Sequence, residues 1–234
     1  MKLTVIIPAR DEEDVIEETI NGLIPIVKNL ETEILVVNDH SIDKTSKIVE
    51  DIGKKHSFVK KIDNHRESGF ANALKSGFES ATGKFVVPFM ADSCDDPLTL
   101  PKMLEKTDKG FDLICGSRYI RGGKKIGGPL VQGFFSRIVG LSLNIFTGIP
   151  TKDVGNAYKM YRRDLLLSFP LKQKGFAISM EACVNFFLSG YKICDVPTVW
   201  TGRKKGKSKF KLSKTLPYAQ LYFYTIWKKW ISRL

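Results

Sequence analysis

Long apolar runs are scarce in this chain of 234 residues. None reaches the ~18 consecutive apolar residues of a bilayer-spanning helix. The opening "MKLTVIIPAR" holds about five apolar residues before charge returns, too few for a signal peptide or a spanning helix. Cysteine is sparse. Cys94, Cys115, Cys183 and Cys194 are widely separated, and no pair has metal-ligand or redox spacing. That excludes a zinc module and a disulfide scaffold, and predicts free thiols in a reducing compartment. No fixed-period repeat and no low-complexity tract is present, which excludes solenoids and disordered arms. Acid is missing from one end: no Asp or Glu follows Asp195, while ten Lys or Arg lie between Arg203 and Arg233. The net charge is +12, so an anionic membrane, a phosphorylated substrate or a nucleic acid would be attracted. Hydrophobic content of 43% and charged content of 26% suit one globular domain, at most with a small appendage.

What is present is an alternation. "LTVIIPA" (3–9) is a short apolar strand, followed by helical spacing of Val15, Ile16, Ile20, Leu23 and Ile24 within 12–30. "TEILVVNDHS" (32–41) is a second strand, and 43–56 a helix for which Asp43 or Thr45 suits the N-cap. Strands at 58–64 and 84–92 flank a helix at 69–81. Four strands alternating with three helices predict an α/β protein with a doubly wound parallel sheet. Further along, 111–119 and 194–202 read as strands, and 132–148, 178–193 and 216–234 as helices.

In such sheets ligands sit at the carboxyl ends of the strands. The stretch "FVVPFMADSCDDP" (85–97) puts Asp92, Asp95 and Asp96 there. Asp92 and Asp95 are candidate ligands for Mg²⁺ or Mn²⁺, which take carboxylate oxygens together with substrate phosphates. Asp96, before Pro97, suits a helix start better. Asp39 in "VVNDHSIDKT" suits contact with a base or ribose, against an ordinary Asx turn. Glu12 stands at the mouth of the first strand–helix turn, where acids are common in any case. In "GSRYIRGG" (116–123), Arg118 and Arg121 offer guanidinium forks for phosphate, against a solvated loop. The basic loop "GRKKGKSK" (202–209) could contact a pyrophosphate, a nucleic acid or membrane, or solvent alone. Trp227, Trp230 and Tyr224 beside Lys228, Lys229 and Arg233 suit a helix in a membrane interface, against core packing or a dimer face.

Taken in order, "VIIPARDEE", "ILVVNDHSIDKT", "ESGFANALKSGFESATGKFVVPFMAD", "GSRYIRGG", "KDVGNAYKMYRRDLL" and "GFAISMEACVNFFLSGYKICDVPTVWTGRKKGKSKFKL" resemble the family 2 glycosyltransferases, and among them the dolichyl- or polyprenyl-phosphate sugar synthases. The likeness runs to about residue 212. It implies a GT-A type nucleotide-binding domain over 1–212, with 213–234 an amphipathic helix that contacts a membrane surface or a second copy. It also implies a metal-dependent inverting transfer of a hexose, mannose or glucose, from a nucleotide-diphosphate sugar to a polyprenyl phosphate, at the cytoplasmic face of a membrane.

By position, the resemblance puts Pro8, Arg10, Glu12, Val37 and Asp39 around the nucleotide. Ala91 and Asp92 become the end of the Asp-x-Asp motif, and Arg203 and Lys209 close over the donor. Arg118, Gln132 and Ser136 fall at the acceptor phosphate. Two positions depart from the family: Met90 replaces the first Asp of Asp-x-Asp, and Cys94 replaces a Gln beside the metal. A third, Gln132, replaces an arginine expected for the acceptor phosphate, for which Arg121 or Arg137 could substitute. Two other readings therefore stay open. One is a sugar or hydroxyl acceptor activated by Asp153 or Glu181 as base. The other is a non-catalytic nucleotide-sugar or nucleic-acid binding protein, which the absence of a nucleic-acid motif disfavours.

Overall fold

A computed structural model describes residues 2–203 and 215–231. Lys209 and the rest of 204–214 lie outside the described residues. The strands are β1 (Leu3–Ala9), β2 (Thr32–Asn38), β3 (Val59–Asp63), β4 (Phe85–Pro88), β5 (Leu113–Ser117), β6 (Lys124–Ile126), β7 (Lys159–Arg162), β8 (Ile193–Pro197) and β9 (Val199–Thr201). The helices are α1 (Ile16–Val27), α2 (Thr45–Lys55), α3 (Phe70–Ser80), α4 (Thr99–Asp108), α5 (Leu130–Thr147), α6 (Arg163–Leu167), α7 (Ala177–Leu188) and α8 (Leu216–Ile231).

Seven strands form one sheet in the order β3-β2-β1-β4-β7-β5-β8, parallel except for β7. The chain winds outward from β1 to β3, then returns across β1 to β4. The crevice between β1 and β4 is thus a topological switch point, where α/β sheets bind ligands. β6 and β9 pair as a separate ribbon, so the single strand expected over 194–202 is two strands in two sheets.

Alternation along β1 sends side chains to two cores. Leu3, Val5 and Ile7 pack with Ile16, Ile20 and Leu23 of α1 and Leu100 and Met103 of α4. Ile6 faces the other way, into a cluster with Leu74 and Phe78 of α3, Leu143 of α5 and Phe186 of α7. Each such residue, fully buried, contributes roughly 1.5–3 kcal/mol. Approach of α3 to the sheet is close enough that a Cβ at Gly77 would lie 2.5 Å from Ile6.

Two elements depart from expectation. The N-cap position of α2 is Lys44, yet Asp43 does the capping work: its carboxylate accepts the amides of Thr45 at 2.9 Å and Glu13 at 3.0 Å. And α5 has 18 residues with Arg137 as its one charge, so by length and composition alone it is long and apolar enough to cross a membrane. It lies against the domain nonetheless. Gly140, Leu143 and Thr147 form its buried side, and a Cβ at Gly140 would collide with the carbonyl of Lys152.

Candidate active site

The three loops that follow β1, β2 and β4 share a backbone feature. Asp11, His40 and Ser93 have φ of 51°, 58° and 56°, and they are the non-glycine residues with positive φ among those described. Such conformations cost of order 1 kcal/mol each and gather at binding sites. Here they turn the loops sharply over the strand ends. The turns are laced together: Asp11 accepts the amide of Ile42 at 2.9 Å, and Thr45 accepts that of Glu12 at 2.9 Å. Thr19 of α1 donates to the Ala91 carbonyl at 2.7 Å and shares a 2.6 Å hydroxyl contact with Ser93.

Asp39, 4% exposed, sits at the end of β2. One carboxylate oxygen accepts Asn64 Nδ2 at 2.7 Å; the other accepts Ser68 Oγ at 3.0 Å and the Gly69 amide at 2.9 Å. Arg10 donates to the same Ser68 at 2.7 Å. The expected nucleotide residue therefore also organises the loop entering α3. Pro8 is half-buried beside it, while the Val37 side chain points into the core beneath α3.

The three acids of 85–97 have three surroundings. Asp92 accepts Arg203 Nη2 at 2.9 Å and Nε at 3.1 Å, and its other oxygen takes the Cys94 amide at 3.1 Å. Arg203 also reaches Glu12, at 3.3 Å. One guanidinium thus bridges the acids at the ends of β1 and β4, which are 191 and 111 residues away from it in sequence. Asp95 is 5% exposed and accepts the Met90 amide at 3.3 Å. Burial, with the Asp92 charge beside it, pushes its carboxyl up to about 7. Asp96 caps the approach to α4, accepting the Leu98 amide at 3.0 Å. Burial and Asp92 also push the Cys94 thiol upward, so it is not available as a thiolate ligand. The described residues contain no group of three or more His, Cys, Asp or Glu placed for a metal. Two carboxylates do fit Mg²⁺ or Mn²⁺ that completes its shell from phosphates and water. Asp95, a desolvated hard-oxygen donor beside Asp92, is the observation behind that fit.

Beyond β5 the charges are reversed. Arg118 forms a fork with the fully buried Asp153: Nε to Oδ2 at 2.7 Å and Nη2 to Oδ1 at 2.8 Å, with the Arg118 amide on Oδ2 at 3.0 Å. Nη2 also lies 3.3 Å from Ser136 Oγ on α5. Burial opposes the Arg118 charge, but Asp153 outweighs it and holds the guanidinium above its ordinary value. Of five guanidinium N–H groups, both on Nη1 lack an acceptor among the described residues. Gln132 is half-buried on α5, four residues before Ser136. Glu181 accepts the amides of Lys172 and Gln173 at 2.9 Å and is 7% exposed. Neither Asp153 nor Glu181 is placed as a general base.

From this site α5 and α8 present an apolar surface. Leu130 is 85%, Phe134 64% and Ile145 75% exposed, and on α8 Phe223, Trp227 and Trp230 are also exposed. Tyr222 of α8 donates its hydroxyl to Ser142 Oγ of α5 at 3.0 Å, which ties the two helices together. Lys228 lies 5.5 Å from the Trp227 ring centre.

Sequence reasoning missed Thr19, Asn64 and Ser68. Each is a small polar residue inside an apolar helix pattern or a loop, and its spacing carries no signal. It also missed α4 and the antiparallel β7. The tetrapeptide "KMYR" of β7 is too short for period-2 alternation to show.

The sequence model of the glycosyl transferase family 2 matches residues 4–168, well over half of the chain. A dolichol-phosphate mannosyltransferase of Pyrococcus furiosus is 31% identical across the whole of this chain, which spans 66% of that protein, just under two thirds. An undecaprenyl-phosphate mannosyltransferase of Micrococcus luteus is 27% identical over 89% of this chain and 87% of its own length. In structure, glucosyl-3-phosphoglycerate synthase of Mycobacterium tuberculosis superposes with a TM-score of 0.71 at 20% identity, covering 97% of this chain and 79% of that one. That likeness is one of fold: a mostly parallel sheet flanked by helices, of GT-A type.

Proposed function

Because the chain belongs to the family 2 glycosyl transferases, we propose that it moves a hexose, mannose first among the candidates, from a nucleotide-diphosphate sugar to a polyprenyl phosphate at a membrane surface. The observation that carries this reading is Arg118. It is held by Asp153, stands beside Ser136, keeps two N–H donors on Nη1, and lies at the root of an exposed apolar helix. A fixed cation at the foot of an apolar surface suits an acceptor with an anionic head and an apolar tail. Such a phosphate is ionised at neutral pH and needs no base, in keeping with the engagement of Asp153 and Glu181 elsewhere.

On this reading Pro8, Arg10, Glu12 and Asp39 surround the nucleotide, with Ala91 and Asp92 beneath the diphosphate. Asp92 and Asp95 would hold Mg²⁺ or Mn²⁺, which neutralises charge on the leaving diphosphate. Arg203 adds fixed positive charge there, and Lys209, six residues on in the sequence, is assigned to the same diphosphate. The acceptor phosphate oxygen forms a bond to the anomeric carbon as the bond to the diphosphate breaks on the opposite face, so the carbon inverts. We assign the transfer to 1–212, and to 213–234 a supporting contact with the membrane or a second copy. The apolar face of α5 and α8, bordered by Lys228, Lys229 and Arg137, suits a peripheral position on the cytoplasmic leaflet.

One observation favours a second reading. The side chain at position 132 is an amide, not a cation, which a sugar hydroxyl would suit better than a phosphate. The test is a transfer assay with Mn²⁺ or Mg²⁺, GDP- and UDP-sugars, and either a short polyprenyl phosphate or a soluble sugar as acceptor. Product in the lipid phase, lost with chelator and with Asp92→Ala, is expected. Product only on the soluble acceptor would replace the first reading by the second.

A further inference from the structure

Lys159 of β7 has no exposed surface, and no carboxylate is paired with it among the described residues. Its Nζ donates to two main-chain carbonyls, Val154 at 2.9 Å and Asn156. Burying a lysine in an apolar core is costly unless its donors are satisfied. Both acceptors belong to one turn, 153–156, and that turn carries Asp153. The turn has three other ties. Asn156 Nδ2 donates to the Gly116 carbonyl of β5 at 2.8 Å. Thr151 Oγ1 accepts the Asp153 amide at 3.2 Å. Gly140 of α5 packs without a Cβ on the carbonyl of Lys152. Seen from Lys159 the chain of contacts is short: Nζ to the turn, turn to the Asp153 carboxylate, carboxylate to three N–H groups of Arg118.

We propose that Lys159 is a positioning residue for acceptor phosphate binding. It fixes the 153–156 turn from below, which sets the Asp153 carboxylate and with it the plane in which Arg118 presents Nη1. The proposal rests on the reading of Arg118 as the phosphate cation. A methionine at 159 has similar length and volume but no donor. The two carbonyls would then turn toward other partners and Asp153 would shift with them.

The test combines kinetics with a signal from Arg118 itself. Lys159→Met should raise the KM for polyprenyl phosphate about tenfold, leave the KM for the nucleotide sugar unchanged, and be rescued to within about threefold by Lys159→Arg. In the ¹⁵N-labelled protein the Nε–H resonance of Arg118, identified by its loss in Arg118→Lys, should exchange with solvent at least tenfold faster in Lys159→Met. Asn156→Ala cuts the tie to β5 and should give the same two changes. If Lys159→Met does not fold, Lys159→Gln, which keeps an amide donor for the turn but no cation, decides the matter by the same Arg118 exchange. Unchanged Arg118 exchange in a folded variant overturns the proposal, as does a fall in kcat with both KM values unmoved. The exchange measurement needs no turnover. If the wild-type protein transfers nothing to polyprenyl phosphate, the reading of the acceptor fails while the resonance still decides the role of Lys159.

Discussion

Removing either partner of the Arg118–Asp153 pair should be far worse for stability than removing both. The Asp153 side chain has no exposed surface and that of Arg118 is 11% exposed, so neither charge finds water when its partner goes. Breaking such a pair leaves one buried charge uncompensated, at a cost of about 3–5 kcal/mol. Replacing both members by groups of similar volume without charge is often near neutral. Asp153→Asn and Arg118→Met should therefore each destabilise by roughly 3–5 kcal/mol, and the double variant by much less than their sum. For a chain of this size about 1 kcal/mol moves the Tm by roughly 2–4 °C, so each single variant should melt about 6–20 °C lower. The assay is urea unfolding of the four proteins at pH 7, read as a double-mutant cycle. A coupling of about 2 kcal/mol or more is expected, with no transfer activity in any variant, since all lose the cation or its orientation. Additive destabilisations would refute the reasoning, because they would mean that the two groups do not compensate each other.

Arg203→Gln should weaken donor binding about tenfold by loss of charge at the diphosphate. It should also tighten binding of Mn²⁺ to the nucleotide-free protein, measured by electron paramagnetic resonance, because Asp92 and Glu12 no longer hold a guanidinium; weaker Mn²⁺ binding would count against it. Glu33 is 1% exposed: burial opposes its ionisation, but the hydroxyl and amide of Thr82, with Thr4 and Lys60, hold its carboxyl below the ordinary value. Its stabilisation is present above the unfolded pKa of about 4.3 and is lost as pH falls through the lower folded value. Glu33→Gln should cost about 1–3 kcal/mol at pH 7, and the gap between variant and wild type in urea should close toward pH 3. Phe134→Ser with Phe135→Ser, at side chains 64% and 59% exposed, should leave the Tm nearly unchanged and reduce flotation with anionic vesicles at least tenfold. Flotation equal to wild type would remove α5 from the membrane contact.

The parallel half of the sheet was legible because its strands are buried on both faces and read as apolar β-branched runs, "LTVIIPA" and "TEILVVN". Its site was legible for the same reason, since a carboxylate directly after such a run has few places to be except the strand end. Asp39 and Asp92 stand out on that ground alone. The antiparallel side was not legible. β7 has four residues, and β6 and β9 three each. What fixes them is pairing across 44 to 77 residues of sequence, which local pattern does not encode. Partners were equally hidden. Arg118 and Asp153 were each visible as candidates, Asp153 as a base. Only the fold shows that the same carboxylate is consumed in holding the arginine.

That difference separates the two ion pairs of the site by what a ligand can do to them. Arg118 gives three N–H groups to one carboxylate that has no exposure, on a turn tied from β5, β7 and α5. A phosphate can add to Nη1 of that arginine but cannot displace Asp153 without burying a lone charge. Arg203 instead divides itself between Glu12 and Asp92, with contacts of 3.3 and 2.9 Å and side chains 10–17% exposed. Each contact is one that a metal-bound diphosphate could exchange, since the metal would compensate the carboxylates and the diphosphate the guanidinium. The acceptor side is thus preorganised and the donor side exchangeable. Order of binding follows from this. On the proposed function, the nucleotide sugar with its metal is then expected to enter first, releasing Arg203 from the two carboxylates, and the acceptor phosphate to follow onto a cation already oriented; product-inhibition kinetics showing the acceptor binding first would refute this order.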